Sequence, residues 1–185
     1  DIGMVGSKIL LFDQRDTLHF AGGSVDLRNG ITTHLGAFEK DQGQYDHLSE
    51  VDYITGCSLL VGKKALEEIG LMPEEYFLYY EEHDWASAVK RSGYKIMCQG
   101  NSFILHKESI STGKDSPLKT YYINRNRILY ARRNFRRGQL LFSILYLCFV
   151  SIPKNTLVFL LKRKFDHLRV YWKAIFWNLT NYSAV

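Results

Sequence analysis

The stretch from Tyr76 to Gly93, Y-F-L-Y-Y-E-E-H-D-W-A-S-A-V-K-R-S-G, constrains this chain more than any other. Four aromatic residues among the first five run directly into Glu81, Glu82 and Asp84, and a short apolar-periodic segment then stops at a glycine. That order reads as a buried aromatic strand or turn that hands an acidic cluster to the start of a helix, at the floor of a pocket. Carboxylates held beside apolar rings and beside each other cannot all ionise easily, so their proton affinities spread apart. A carboxylate tuned in this way serves as a general base near neutral pH. The same residues also suit a solvated helix start whose acids only complement the helix dipole.

The flanking sequence supplies alternating elements. Val5 to Phe12 is an apolar run suited to a strand. Asp13 to Glu50 is polar and too long for a bare loop, so short strands are expected at Leu18 to Phe20 and Ile31 to His34, around the turn signals Gly22-Gly23 and Asn29-Gly30. Cys57 to Val61 reads as a buried strand, Lys63 to Ile69 as a helix stopped by Gly70, and Glu82 to Ser92 as a helix capped by Gly93. Tyr94 to Cys98 and Ser102 to Leu105 read as two strands across a turn at Gln99-Gly100-Asn101. A helix is expected from Leu118 to Asn134. The fold class is therefore α/β.

Several motifs in order resemble the inverting, nucleotide-sugar-dependent glycosyltransferases of family 2, above all the rhamnosyltransferase-like and galactofuranosyltransferase-like members. They are Phe77-Leu78-Tyr79-Tyr80, Glu81-Glu82-His83-Asp84-Trp85, Ser92-Gly93-Tyr94, the upstream Asp52-Tyr53-Ile54-Thr55-Gly56-Cys57-Ser58-Leu59-Leu60, and Phe103-Ile104-Leu105-His106. The resemblance covers about residues 1 to 135. It implies the C-terminal, acceptor-side half of a GT-A mixed-sheet fold, the catalytic domain of nucleotide-diphospho-sugar transferases. It also implies that a nucleotide-binding half with an Asp-x-Asp metal motif lies N-terminal to Asp1, and that this chain alone is inactive.

The resemblance further assigns roles. Glu82 stands at the position of the catalytic base, although the family usually has Asp there, one methylene shorter. Glu81 and Asp84 would hold acceptor hydroxyls or cap the helix. Thr55, Gly56 and Trp85 would line the substrate site. Arg125, followed by Asn126, matches an Arg-Asn pair placed to reach the diphosphate. His106 would join Mn²⁺ or Mg²⁺, whose other ligands belong to the N-terminal half; a strand-end histidine bonded to a carbonyl is the alternative. Ala88 replaces a frequent arginine. His83 is read as structural, facing away from Glu82. Lys107 to Pro117 reads as a flap over the sugar-nucleotide site or as a plain surface loop.

Charge divides the chain. Residues 125 to 185 hold twelve of the 24 basic residues and a single acid, Asp166, whereas the preceding part is net acidic. Residues 136 to 185 are thus expected to form a second region, a basic amphipathic tail of helices. Leu140 to Val150 is about half a membrane span, and Pro153-Lys154-Asn155 reads as a break. Two helices lying in the interface are expected. Arg132, Arg133, Arg136 and Arg137 on one side, and Lys162, Arg163 and Lys164 on the other, would meet an anionic surface at the inner face of the plasma membrane, with Trp172, Phe176 and Trp177 as anchors. Helix packing within the protein is the alternative. Charge alone would allow nucleic acid, but base-stacking aromatics interleaved along strands are missing. The three cysteines, Cys57, Cys98 and Cys148, have no metal-type spacing and read as reduced thiols.

The expected activity is transfer of a sugar from a nucleotide-sugar donor to a glycan or lipid-linked acceptor, with inversion, in cell-surface polysaccharide biosynthesis. The competing reading is a non-catalytic membrane-surface module on the same scaffold. An Asp-x-Asp encoded upstream of Asp1 would separate them.

Overall fold

A computed structural model describes residues 1–107, 113 and 115–181. The chain divides into two compact units. The first comprises Asp1–Val25, Thr32–Pro73 and the stretch from Glu81 to the end of the last strand. The second takes Asp26–Ile31, Glu74–Tyr80 and the C-terminal helices. Packing therefore places the helix at 117–134 with the tail helices, not with the acidic body as a boundary at 135 would have it.

In the first unit, β1 (Ile2–Leu11) lies at the centre of a mixed sheet. It pairs parallel with β7 (Lys95–His106) and antiparallel with β2 (Leu18–Phe20) and β6 (Leu59–Val61); β5 (Leu48–Glu50) pairs antiparallel with the far side of β7. β3 (Gly23–Asp26) and β4 (Ile31–His34) make a separate two-stranded sheet. Met4, Ile9, Phe20, Tyr53, Ile54 and Ile96 form the core beside this sheet. α1 (Lys63–Ile69) and α2 (Glu81–Arg91) follow, and α2 adds Ala86 and Val89 to that core from one face. Gly93 closes α2 with φ 84°, a left-handed conformation that costs a residue without Cβ little.

Two expected strands are one. β7 runs unbroken from Lys95 to His106, and the segment read as a turn is an irregularity in its pairing: Ser7 faces Gln99, but Lys8 faces Phe103. Gly100 sits at this bulge because a Cβ there would come within 1.7 Å of the Tyr45 carbonyl oxygen. Nearby, Lys8 is buried on β1 and paired with Asp41, at 2.7 Å, and with Asp46. Burial opposes its charge, but the two carboxylates outweigh that and raise its pKa.

The second unit is helical. α3 (Pro117–Asn134) begins with Ser116 accepting from the Lys119 N–H and packs along α6 (Phe165–Thr180). Leu129, Tyr130 and Ala131 of α3, with Tyr171, Ala174 and Ile175 of α6, are among its buried apolar residues.

Between these helices the expected break at Pro153 is absent. α4 (Arg137–Tyr146), a π turn (Leu147–Ser151) and α5 (Ile152–Leu161) form one helical run of 25 residues. The Ile152 N–H reaches back five residues to the Leu147 carbonyl, a wider turn that absorbs the missing donor and bulky ring of Pro153. The run is about 37 Å long at ~1.5 Å per residue. By length and composition it could cross a bilayer, and only 6% of its most apolar window is buried. It is a single helix where two were expected.

Candidate active site

The aromatic segment before α2 has an unusual backbone. Phe77, Tyr79 and Tyr80 all adopt positive φ, of 61°, 66° and 75°. Bulky residues reach this region at a cost of about 1–3 kcal/mol each, and only where surroundings hold them. Here Asn126 and Arg125 of α3 hold them. The Asn126 amide donates to the carbonyls of Tyr76, Leu78 and Tyr79 at 2.9, 2.7 and 2.7 Å. Arg125 Nη2 donates to the Glu75 and Tyr76 carbonyls, and its Nε donates to Asn126 Oδ1. Its guanidinium also packs over Tyr122 and Trp177, 4.9 and 4.6 Å from the ring centroids. Arg125, expected at a diphosphate, is instead a buried clasp on main-chain carbonyls.

Glu81 and Glu82 open α2 in the first unit, near the positive end of its dipole. Their environments differ. Burial, reinforced by the neighbouring charge of Glu82, pushes the Glu81 carboxyl up to about 7. Burial also disfavours the Glu82 charge, but the imidazoles of His83 and His34 outweigh it and hold this carboxyl below the usual range. Glu82 Oε2 is buried without a hydrogen-bond partner among the described residues, and His83 Nδ1 lies 3.7 Å from it. His83 thus faces Glu82, contrary to its expected orientation. Its ring packs on buried Tyr53, with centroids 4.0 Å apart.

The other expected residues fall in different surroundings. Asp84 is 4% exposed, so its carboxylate faces protein, not an open cavity. The Trp85 indole N–H donates to the Gly70 carbonyl at 3.0 Å, tying α2 to the end of α1. Thr55 and Gly56 lie on the loop before β6, where Thr55 Oγ1 is 3.7 Å from Cys57 Sγ. A Cβ at Gly56 would meet open space, which leaves that backbone accessible to a ligand. The Cys57 thiol is pushed up by burial and, in lesser part, by the Glu82 charge, so this loop lies within the field of α2. At the other end of α2, Lys90 pairs with Asp52 at 2.6 Å beside a groove of about 200 Å³.

His106 ends β7, stacked on His19 with centroids 5.6 Å apart. His19 in turn meets His34 edge-on at 5.4 Å. Sequence reasoning missed this series of rings because β2, β4, β7 and α2 are distant in the chain; five of six histidines falling in this unit was the available signal. Among the described residues no three His, Cys, Asp or Glu side chains are grouped to hold a metal ion. The expected flap, Lys107 to Pro117, lies mostly outside the described residues.

Comparison with known proteins gives a consistent chemistry. No family model matches the chain. It is 28% identical over 105 residues to the low-salt glycan biosynthesis hexosyltransferase Agl10 of Haloferax volcanii, covering 56% of this chain and 34% of that protein. It is 31% identical over 65 residues to an N-acetylglucosaminyl-diphospho-decaprenol L-rhamnosyltransferase of Mycobacterium tuberculosis, covering 35% of this chain and 21% of the relative. Over 167 residues it is 25% identical to the dTDP-rhamnosyl transferase RfbF of Shigella flexneri, covering 86% of this chain and 54% of the relative. The chain therefore spans between a fifth and about half of the curated relatives it matches, and all of these are glycosyltransferases. They support a glycosyltransferase, on a mixed α/β scaffold compatible with that chemistry.

Proposed function

We propose that this chain is the acceptor-side part of a family 2, GT-A-fold glycosyltransferase that moves a hexosyl or deoxyhexosyl group with inversion. The donor would be a nucleotide-sugar, and the acceptor a glycan or lipid-linked sugar of cell-surface polysaccharide biosynthesis. The relatives' names support the class of reaction. The observation that carries the reading is the paired carboxylates at the start of α2, whose proton affinities are driven apart.

In this reading Glu82 takes the proton as the acceptor O–H bond breaks. The freed oxygen forms its bond to the anomeric carbon from the face opposite the diphosphate, whose bond to that carbon breaks with the electron pair leaving on oxygen. Glu81, protonated over part of the neutral range, can donate a hydrogen bond to an acceptor oxygen. Thr55 and Gly56 flank the acceptor. A divalent cation at the diphosphate would draw most of its ligands from an N-terminal half, with His106 at the end of β7 as the contribution of this chain.

The test is transfer by the full-length enzyme carrying Glu82→Gln. Sugar transfer should be lost while nucleotide-sugar binding is kept, and retained turnover would remove Glu82 from the mechanism.

We further propose that the protein binds the inner face of the plasma membrane peripherally, through the helix Arg137–Leu161. Phe142, Phe149 and Leu157 are exposed on it, and Arg136, Arg137, Lys162 and Arg163 are exposed at its two ends. Arg132 is not part of this surface contact, because its Nη1 donates to Asn178 on α6. Changing Phe142, Phe149 and Leu157 together to Gln should abolish flotation with anionic vesicles, and undiminished flotation would refute the assignment.

A further inference from the structure

Glu82 presents a problem that its position in the motif does not explain. A buried carboxylate oxygen without a hydrogen bond should prefer to be protonated, and a protonated base accepts nothing. Yet the side chains around it favour the charged form. His83, the next residue on α2, brings Nδ1 to 3.7 Å from Glu82 Oε2. Its ring is packed on Tyr53, whose own side chain has no exposed surface and whose hydroxyl reaches the Thr33 carbonyl. Tyr53 also packs on His34, 6.2 Å between centroids, and His34 acts on Glu82 from β4. Among the described residues, Glu81 on its own helix and Cys57 on the loop before β6 also sense the charge of this carboxylate.

We propose that His83 is a positioning residue for the transfer reaction: wedged between the Tyr53 ring and the Glu82 carboxylate, it keeps that carboxylate in its ionised, proton-accepting form, with His34 assisting from β4. The proposal rests on the reading of Glu82 as the base. The mechanism is an oriented imidazole beside a buried oxygen that has no hydrogen-bond partner among the described residues. Tyr53 fixes the ring so that its polar edge stays turned to the acid. Glu81, which sees Glu82 as a like charge, is driven the other way. Burial and the Glu82 charge raise the proton affinity of Glu81 even though His83 opposes them, so the two carboxylates are driven apart.

The side-chain carboxyl resonances of the chain, labelled with ¹³C, would be followed against pH. Glu82 and Glu81 are identified by the signals lost in Glu82→Gln and Glu81→Gln. In His83→Gln the Glu82 midpoint should move upward, in His34→Gln it should move upward by less, and His83→Lys should restore a low midpoint. An unmoved Glu82 midpoint in a folded His83→Gln protein would overturn the proposal. Should His83→Gln fail to fold, an unmoved midpoint in a folded His34→Gln together with a raised midpoint in His83→Lys would do the same. In the full-length enzyme, the acid limb of kcat/KM should shift upward in His83→Gln while the alkaline plateau is kept; an equal loss at all pH values would make His83 merely structural. Turnover surviving in Glu82→Gln would instead sink the transfer mechanism, and the carboxyl titration would stand apart from it.

Discussion

Replacing Asn126 by Ala should destabilise the protein more than any surface change, and the cost can be worked from its contacts. The side chain is fully buried and offers two N–H bonds to three carbonyls, those of Tyr76, Leu78 and Tyr79. Tyr76 keeps a donor after the change, because Arg125 Nη2 also reaches it at 2.8 Å. Leu78 and Tyr79 lose theirs, at about 1–3 kcal/mol for each buried acceptor left unsatisfied. Arg125 Nε loses its acceptor as well. The three positive-φ residues between Phe77 and Tyr80 then have less to hold them, and relaxing their backbone recovers part of the loss. A net cost of about 3–5 kcal/mol results, a large share of the ~5–15 kcal/mol that ordinary domains possess. Asn126→Asp should cost more, since it points carboxylate oxygens at carbonyl oxygens. Urea unfolding followed by circular dichroism would measure both, with the slope checked for constancy. A loss below about 1 kcal/mol for Asn126→Ala would show that these carbonyls are satisfied otherwise and that the clasp is dispensable.

Two further expectations are independent of this one. The Glu81 pKa is raised from 4.5 to about 7, so the folded state binds a proton more tightly than the unfolded state does. Its contribution is favourable below pH 4.5 and is lost as pH rises to about 7; Glu81→Gln should flatten the decline of stability across that window, measured by thermal unfolding at a series of pH values. Gly100→Ala would drive a methyl group into the Tyr45 main chain at the β7 bulge, so its melting temperature should fall by several degrees or more, and an unchanged value would refute the close approach.

What the sequence made legible was what neighbouring residues decide. α1 was readable because Gly70 punctuates an apolar-periodic run, and α2 because Gly93 does the same. β2 and the strand at Ile31–His34 were readable from the turn residues around them. The errors have two causes, one set by distant chain and one by local helix geometry. Gln99-Gly100-Asn101 has turn composition, but β1 pairs on both sides of it and the Tyr45 backbone fills the space above it, so a bulge results. Pro153 looks like a helix break, yet a π turn one step earlier supplies the geometry that lets the helix continue.

The site divides along the same line. The acidic cluster at the head of α2 follows from local order alone, because aromatic residues followed by acids and then a helical period leave few other arrangements. The protonation of each acid does not follow from it. Glu81 and Glu82 are adjacent and chemically identical, yet burial and the Glu82 charge raise the first, while His83, packed on Tyr53, and His34 from β4 lower the second. Arg125 shows the converse. A guanidinium beside an asparagine suits a diphosphate in sequence, but the four carbonyls of Glu75, Tyr76, Leu78 and Tyr79 take the donors of this pair. Residue type thus limits which chemistry a side chain can perform, while the carbonyls and rings that reach it from elsewhere in the chain decide which of those chemistries it performs.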